Sequence, residues 1–300
     1  MKFTVNHDSR IGRRSMNQDR VGTAFTDEVL LLVVCDGMGG HKHGEIAAKI
    51  VVEHLLHAFK QRACPRLDDS SRFLAEEILE AHWAINRYTS LRAIPLEDAP
   101  RTTCVACVIQ GDLAVWAHTG DSRLYLIRDG RVRTRTVDHS RVQMLVDAGE
   151  ITELEAQTHP QRNLVITCLG GEVPPRIDVS AVTRLAPGDT FALCSDGVWA
   201  PLQDTLASGL MYPLERAVPQ LLDRAESLNG ATSDNLSLIA LRWESVGGRP
   251  QSDDHTVPEN DDQTQVEDFA AATLPGNLSD AEIERQAAEI RAAIDGRIPT

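Results

Sequence analysis

The 300-residue sequence predicts an α+β fold in which two antiparallel β-sheets stack on each other and helices cover their outer faces. Residues 44–61 and 70–91 carry apolar side chains at helical spacing, which predicts two long amphipathic helices. Most of the remaining chain consists of short apolar runs separated by tight turns. Helices therefore do not alternate with strands one for one, which argues against a doubly wound parallel sheet.

Strands are predicted wherever a short apolar run is bounded by turn residues. A first strand covers residues 4–8, and a hairpin joins residues 21–26 to residues 29–35. The turns at 110–112 and 128–130 predict that residues 103–137 form one antiparallel meander. The further predicted strands are residues 103–109, 113–117, 124–127, 132–137, 163–169, 177–182, 190–193 and 236–242.

The predicted helices have recognisable ends. Cys64-Pro65 ends the first long helix, and Ser70 or Ser71 is expected to cap the second. The remaining predicted helices are residues 140–148, 153–156 and 214–226.

Composition narrows the classes of partner and the compartment. The net charge of −14 argues against nucleic acid or an anionic membrane surface as the main partner. No apolar run is long enough to span a membrane, and residues 1–8 lack the apolar core of a signal peptide. Several of the six cysteines lie in apolar strands, which is typical of reduced thiols. We therefore expect a cytoplasmic protein without membrane insertion.

The pair Cys104 and Cys107 has the spacing of a redox or zinc motif. The two cysteines lie in a predicted strand, where a separation of three residues directs the side chains to opposite faces. No second pair completes a zinc site, so we interpret both cysteines as packing residues.

The composition changes near residue 247. Residues 249–300 contain twelve acidic residues, four arginines and no lysine. We predict a folded domain at residues 1–246, a disordered acidic linker at 247–277 and a short amphipathic helix at 278–296. This helix either docks on its own domain or binds a separate partner, and its apolar stripe does not distinguish the two.

Four aspartates stand at predicted strand ends. Asp36 follows the apolar run at residues 30–35, and three glycines come within the next four positions. Asp121, Asp196 and Asp234 occupy comparable places in later strands. Carboxylates brought together raise each other's pKa, and a hard divalent cation removes that repulsion. All-oxygen ligands favour Mg²⁺ or Mn²⁺ over zinc.

Five short segments resemble the motifs of the metal-dependent Ser/Thr protein phosphatases, the type 2C family, in its bacterial form. They are RSMNQD at 14–19, DGMGGH at 36–41, TGDSR at 119–123, CSDGVW at 194–199 and SDNLS at 233–237. The resemblance covers about residues 5–242. It implies a four-layer α-β-β-α sandwich, here followed by an acidic C-terminal tail.

The resemblance also implies roles for individual residues. Asp36 would bridge two Mn²⁺ or Mg²⁺ ions, with the Gly37 carbonyl on one of them. Asp196 and Asp234 would hold the other ion, and Asp121 a third, weaker one. Arg14 would clamp the substrate phosphate, and Asp19 would lie next to the metal waters. The segment at 142–169 would form a mobile flap.

The implied function is removal of phosphate from phosphoserine and phosphothreonine on proteins. A metal-activated water attacks phosphorus in line, without a phosphoenzyme. The partners would be phosphorylated proteins, an opposing bacterial Ser/Thr kinase and a possible partner for the tail. The alternative is a non-catalytic module that binds or scaffolds phosphoproteins.

The sequence departs from the family pattern at two positions. Gln18 replaces a glutamate that reaches the second ion through water, so one ion is expected to bind more weakly. Met38 stands where animal members have a histidine proposed as general acid, as is common in bacterial members. His41 is either a replacement acid or simply a residue at the start of a helix.

Overall fold

A computed structural model of the chain describes residues 1–38, 43–246, 265–268 and 280–296. Two antiparallel sheets stack between layers of helices, as the sequence predicts. The strands are β1 Lys2–Arg10, β2 Arg20–Phe25, β3 Val29–Cys35, β4 Cys104–Gln110, β5 Leu113–Thr119, β6 Arg123–Arg128, β7 Arg131–Arg135, β8 Asp178–Val179, β9 Thr183–Arg184, β10 Thr190–Cys194, β11 Leu236–Ser245 and β12 Gln265–Asp268. The helices are α1 Gly44–Arg62, α2 Ser70–Leu91, α3 Arg141–Asp147, α4 Glu153–Thr158, α5 Asp196–Leu202, α6 Leu206–Gly209, α7 Leu214–Asn229 and α8 Asp280–Ile294.

The two sheets divide the strands in a way that the sequence does not reveal. Sheet I has the order β1-β11-β10-β6-β7, and sheet II has the order β12-β2-β3-β4-β5-β8, with β9 also on β5. The prediction of one meander over residues 103–137 is wrong, because β4 and β5 lie in sheet II whereas β6 and β7 lie in sheet I. The chain crosses between the sheets at Gly120, whose positive φ of 96° suits glycine, and at Asp121.

The apolar run of β3 is continuous because both of its faces are buried. Leu30, Leu32 and Val34 pack between the sheets, on the side of Phe191 and Trp243. The alternate residues Leu31, Val33 and Cys35 pack under α1 and α2. A third apolar cluster lies between sheet I and α7. Burial on both faces removes the alternation of polar and apolar residues that a one-sided strand shows.

The same two-sided packing explains the cysteine pair in β4. Cys104 belongs to the cluster under α1 and α2, and Cys107 belongs to the cluster between the sheets. Their side chains therefore point to opposite faces, as predicted.

Several local predictions need correction. Residues 163–169 form no strand; Val165 and Leu169 make isolated bridges only, and the intervening Ile166 is about half exposed. The predicted strand at 177–182 is reduced to β8, with β9 just beyond it. The side chain of Asp69, not a serine, caps α2 by accepting from Ser71 N and Arg72 N.

The described part of the C-terminal tail lies against the domain. The predicted disordered linker, residues 247–277, falls outside the described residues except for β12, which pairs with the edge strand β2. Ile290 and Ala293 of α8 are fully buried in the cluster under α1 and α2. No helix in the described ranges is long and apolar enough to cross a membrane.

Candidate active site

The site lies where strands of both sheets end around one open cavity of about 1050 Å³. Asp36 follows β3, Asp196 begins α5 directly after β10, and Asp234 stands two residues before β11. Asp121 lies at the crossover between β5 and β6. The structure therefore brings together the following sequence-predicted site residues as cavity lining: Arg14, Asp36, Gly37, Asp121, Asp196 and Asp234.

Backbone hydrogen bonds fix the position of Asp36 at the end of β3. Its N–H donates to Thr103 Oγ1 at 3.0 Å, and its carbonyl accepts from Thr103 N at 2.9 Å and Thr102 Oγ1 at 2.9 Å. The following loop is closed by contact between two glycines, since a Cβ on Gly37 would lie 2.4 Å from the Gly44 oxygen. Only residues without side chains allow that approach.

The carboxylates strongly perturb one another. Loss of hydration, together with the charges of Asp234 and Asp19, raises the pKa of Asp196 to about 7. The pKa values of Asp36 and Asp121 also lie well above their ordinary range, mainly because both groups are shielded from water and secondly because of neighbouring carboxylates. A cation in the cavity would reverse these shifts.

Asp19 lies behind the cavity, not in its lining. It is 2 % exposed, and burial raises its pKa to about 6. Its Oδ2 accepts from Ser195 Oγ at 2.7 Å, and Ser195 Oγ in turn accepts from Ser237 N at 3.0 Å. The other carboxylate oxygen, Oδ1, is buried without a hydrogen-bond partner. An acceptor of this kind is suited to a donor such as a metal-bound water.

Arg14 is carried by the loop after β1, which rests on the turn before β11. Its Nη2 lies 2.7 Å from Asp234 Oδ2, and 57 % of its side chain is exposed. Asn235 holds this loop, because its Oδ1 accepts from Gln18 N and its Nδ2 donates to the carbonyls of Ile11 and Met16. Gly12 permits the contact between this loop and the turn before β11, since a Cβ on residue 12 would lie 2.0 Å from the backbone carbonyl oxygen of Asp234.

The two departures from the family pattern also lie at the cavity. Gln18 and Glu45 both line it, and Gln18 Nε2 donates to Glu45 Oε2 at 3.4 Å. Glu45 is an acidic residue that was not predicted from the sequence to belong to the site. Its position in the first turn of α1 is the feature that could have identified it. Met38 lines the cavity, whereas His41 falls outside the described residues.

Serine 195 and asparagine 235 were likewise missed from the sequence. Both lie next to a predicted aspartate, yet Ser and Asn at such positions most often serve local turns. Their roles depend on the distant partners Asp19 and Ile11, which only the assembled fold brings near.

A divalent cation fits this donor set. The available ligands are carboxylate and carbonyl oxygens, which hard cations prefer. Burial first, and the negative charge of neighbouring carboxylates second, raise the pKa values of Asp36 and Asp196, and a bound cation would offset both effects. The unpartnered Oδ1 of Asp19 adds an acceptor beside them.

A second group with possible metal-ligand geometry lies behind the Asp121 turn. It consists of His118, His139 and Asp178. His118 Nε2 lies 2.8 Å from the Val137 carbonyl, and His139 Nδ1 accepts from Gly120 N at 3.3 Å. Because His118 Nε2 and His139 Nδ1 already form hydrogen bonds with backbone groups, we interpret the cluster as a structural support for the turn at Asp121.

Comparison with known proteins identifies relatives of this chain. Residues 8–236 match the family described as protein phosphatase 2C. The chain is 34% identical over 234 residues to the serine/threonine protein phosphatase PstP of Mycobacterium tuberculosis, covering 75% of this chain but 42% of that protein. It therefore spans less than half the length of that relative.

Solved structures show the same fold. Staphylococcus aureus serine/threonine phosphatase Stp1 superposes with a TM-score of 0.73 at 30% identity, covering 80% of this chain and 95% of that chain. The catalytic domain of PstP in complex with two manganese ions superposes with a TM-score of 0.66 at 30% identity, covering 80% and 97%. On the family match and the shared architecture, the chain belongs to the protein phosphatase 2C family.

Proposed function

We propose that this protein is a metal-dependent protein phosphatase that hydrolyses phosphoserine and phosphothreonine esters. The observation that carries the proposal is the convergence of Asp36, Asp121, Asp196 and Asp234 with Arg14 around one open cavity. A cluster of carboxylates without a cation is electrostatically unfavourable, whereas the same cluster is suited to divalent ions. Family membership and the two manganese ions of the related PstP structure support this interpretation.

We assign the ligands by position. Asp36, the Gly37 carbonyl, Asp196 and Asp234 would hold two divalent ions, and Asp121 would hold a third. When bound, Mn²⁺ or Mg²⁺ supplies positive charge and lowers the pKa of a coordinated water.

The residues of the chain provide positioning. Arg14 presents a planar fork of N–H donors that matches two phosphate oxygens. Asp19, with its unpartnered Oδ1, would accept a hydrogen bond from water near Asp36 and so orient it. Met38 carries no proton to donate, so we assign protonation of the leaving alcohol to solvent. No side-chain nucleophile is required, because water attacks phosphorus directly.

The biological setting follows from the substrate class. Phosphoproteins and an opposing Ser/Thr kinase are the proposed partners. A cytoplasmic location is proposed because the cysteines of the described residues are all unpaired.

Hydrolysis of para-nitrophenyl phosphate across a Mn²⁺ titration tests the proposal. We expect metal-dependent turnover that Asp196→Asn reduces roughly 100-fold or more, since each lost charge interaction at such a site is worth several kcal/mol. Asp68→Asn is the matched control, because Asp68 is exposed and remote from the cavity.

The alternative is a module that binds phosphoproteins without turnover, motivated by Gln18. Saturable binding of a phosphothreonine peptide, with no hydrolysis of peptide or aryl phosphate at any Mn²⁺ concentration, would favour that alternative. Turnover that is equally strong in chelator would exclude the metal-dependent mechanism.

A further inference from the structure

A second guanidinium lines the cavity besides that of Arg14. Among the described residues that line the cavity, Arg14 and Arg92 carry this group. Arg92 follows the last residue of α2, its side chain is 40% exposed, and Tyr88 and Ile94 line the cavity beside it. Arg92 takes no part in the proposed hydrolysis of the phosphate ester.

The two arginines have different electrostatic surroundings. The pKa of Arg14 is raised mainly by its hydrogen bond to Asp234, with contributions from Asp196 and Asp36. The pKa of Arg92 is raised mainly by a hydrogen bond with the Tyr88 hydroxyl and further by Glu289. Arg92 thus interacts with Tyr88 and Glu289 and not with the carboxylates assigned to metal ions.

Glu289 belongs to α8, outside the segment that matches the phosphatase family. Its Oε2 lies 3.0 Å from Arg92 Nε, without an aligned hydrogen bond. The helix is anchored independently of this pair, because Ile290 and Ala293 are fully buried and Arg87 Nε donates to the Ala293 carbonyl at 2.7 Å. An acidic side chain of the tail is therefore paired with an arginine that lines the cavity.

This arrangement bears on substrate choice. A peptide with an acidic residue beside its phosphoresidue is repelled by the carboxylate cluster unless a cation offsets that repulsion. Arg92 has five N–H donors, and Glu289 lies 3.0 Å from its Nε. Partly exposed ion pairs are weak, so a carboxylate of the substrate can compete with Glu289.

We propose that Arg92 is a specificity-determining residue that binds an acidic side chain flanking the phosphoresidue, and that Glu289 of α8 competes for it. This inference rests on the proposed phosphatase function. The recognised ligand is a phosphopeptide that carries Asp or Glu near its phosphothreonine.

The test compares two phosphothreonine peptides that differ only by Glu or Gln beside the phosphoresidue, with para-nitrophenyl phosphate as a substrate too small to need Arg92. We expect the full chain to prefer the Glu peptide in kcat/KM. Arg92→Gln should abolish that preference, a change of about 3- to 10-fold for one charge-assisted contact, through KM. Arg92→Lys should retain part of it.

Glu289→Gln should have the opposite effect. Removing the competing carboxylate is expected to lower KM for the Glu peptide about 2- to 5-fold, as befits a weak, partly exposed pair, and to leave the Gln peptide unchanged. Arg72→Gln and Glu80→Gln are matched controls on the outer surface of α2, and thermal unfolding checks that α8 stays docked.

The outcomes separate the two proposals. Equal peptide preference in the full chain and in Arg92→Gln, with normal hydrolysis of the aryl phosphate, overturns the assignment of Arg92 and leaves the phosphatase function standing. An unchanged KM in Glu289→Gln, beside a clear effect of Arg92→Gln, overturns the competition. Absence of turnover with every substrate overturns the proposed function and this inference together.

Discussion

Arg14 makes one contact with Asp234 and is exposed at the cavity, so its function should be sensitive to the shape of its head group. Its guanidinium donates to Asp234 at 2.7 Å while more than half of the side chain remains exposed at the cavity. Lysine keeps the positive charge but offers a point charge in place of a planar fork. Replacement of Arg14 by lysine can therefore separate the effect of positive charge from the effect of hydrogen-bond geometry.

We expect Arg14→Lys to reduce kcat/KM for para-nitrophenyl phosphate about 10-fold or more, mainly through a higher KM. The reason is the loss of one of two parallel hydrogen bonds to phosphate oxygens, each worth about 1.5 kcal/mol when charge-assisted. Steady-state kinetics at saturating Mn²⁺ provide the measurement.

Arg13→Lys serves as the control, because Arg13 is the exposed neighbour of Arg14 and does not line the cavity. If the two variants lose activity equally, the effect belongs to the loop and not to phosphate recognition.

The charged residues of the site could be predicted from the sequence, but the residues that hold them in position could not. Asp36, Asp121 and Asp196 stand at strand ends where an isolated carboxylate needs an explanation, so the sequence marks them. Asn235 and Ser195 act through partners more than 170 residues away, so nothing local marks them.

At the scale of elements, α1 and α2 are joined by a cluster of charged side chains beside their apolar contact. Glu77 on α2 accepts from His54 Nε2 at 2.9 Å and Arg62 Nη1 at 2.6 Å, both on α1. Burial alone would raise the pKa of Glu77, but the hydrogen bonds from His54 and Arg62 outweigh it and lower the pKa. The ionised carboxylate therefore stabilises the contact between the helices.

We expect Glu77→Gln to lower the free energy of unfolding by about 1–3 kcal/mol at pH 7. A lowered pKa gives stability that is present above the unfolded value of 4.5 and lost as pH falls through the folded value. The difference between wild type and variant should accordingly shrink as the pH falls below 4.5.

Urea unfolding at pH 7 and at low pH measures this difference. Glu80→Gln, an exposed change on the same helix, should show little effect at either pH. A difference that persists unchanged at low pH would mean that packing, not charge, is responsible.

Helices were predicted correctly where the spacing of apolar side chains determines the structure. The prediction failed where the pairing of strands determines it. Residues 44–61 and 70–91 show helical spacing, and α1 and α2 end within one residue of those limits. The strands of residues 103–137 were located but assigned to one sheet, since turn signals mark where a strand ends and not which sheet receives the next one.

At the scale of the whole molecule, the carboxylate cluster links metal binding to stability. Asp19 and Asp196 have folded pKa values of about 6 and about 7, raised by burial above an ordinary 3.8. Raised carboxyl pKa values contribute stability that is fully present below pH 4 and lost as pH rises through 6 to 7. The protein without divalent ions should thus be less stable at pH 8 than at pH 5.5 on account of these groups.

We expect the melting temperature in chelator to fall between pH 5.5 and 8, and Mn²⁺ to raise it most at pH 8, because ions bind the deprotonated folded site. Differential scanning fluorimetry with Mn²⁺ or with chelator at each pH gives the comparison. Asp196→Asn removes one of the raised carboxyls and should flatten the pH dependence in chelator. A metal effect that is equal at both pH values would contradict this linkage.

The pairing of β1 with β11 has a consequence for how the protein folds. This pairing brings Arg14, just after β1, to Asp234, just before β11, across 220 residues of sequence. Contacts of such high sequence separation form late, since the entropy of closing the intervening loop opposes them until much of the chain is ordered. A partly folded chain can bury β3 under α1 and α2 before this event, yet it cannot hold a phosphate ester. Catalytic competence should therefore appear as the last phase of refolding, after most of the hydrophobic burial is complete.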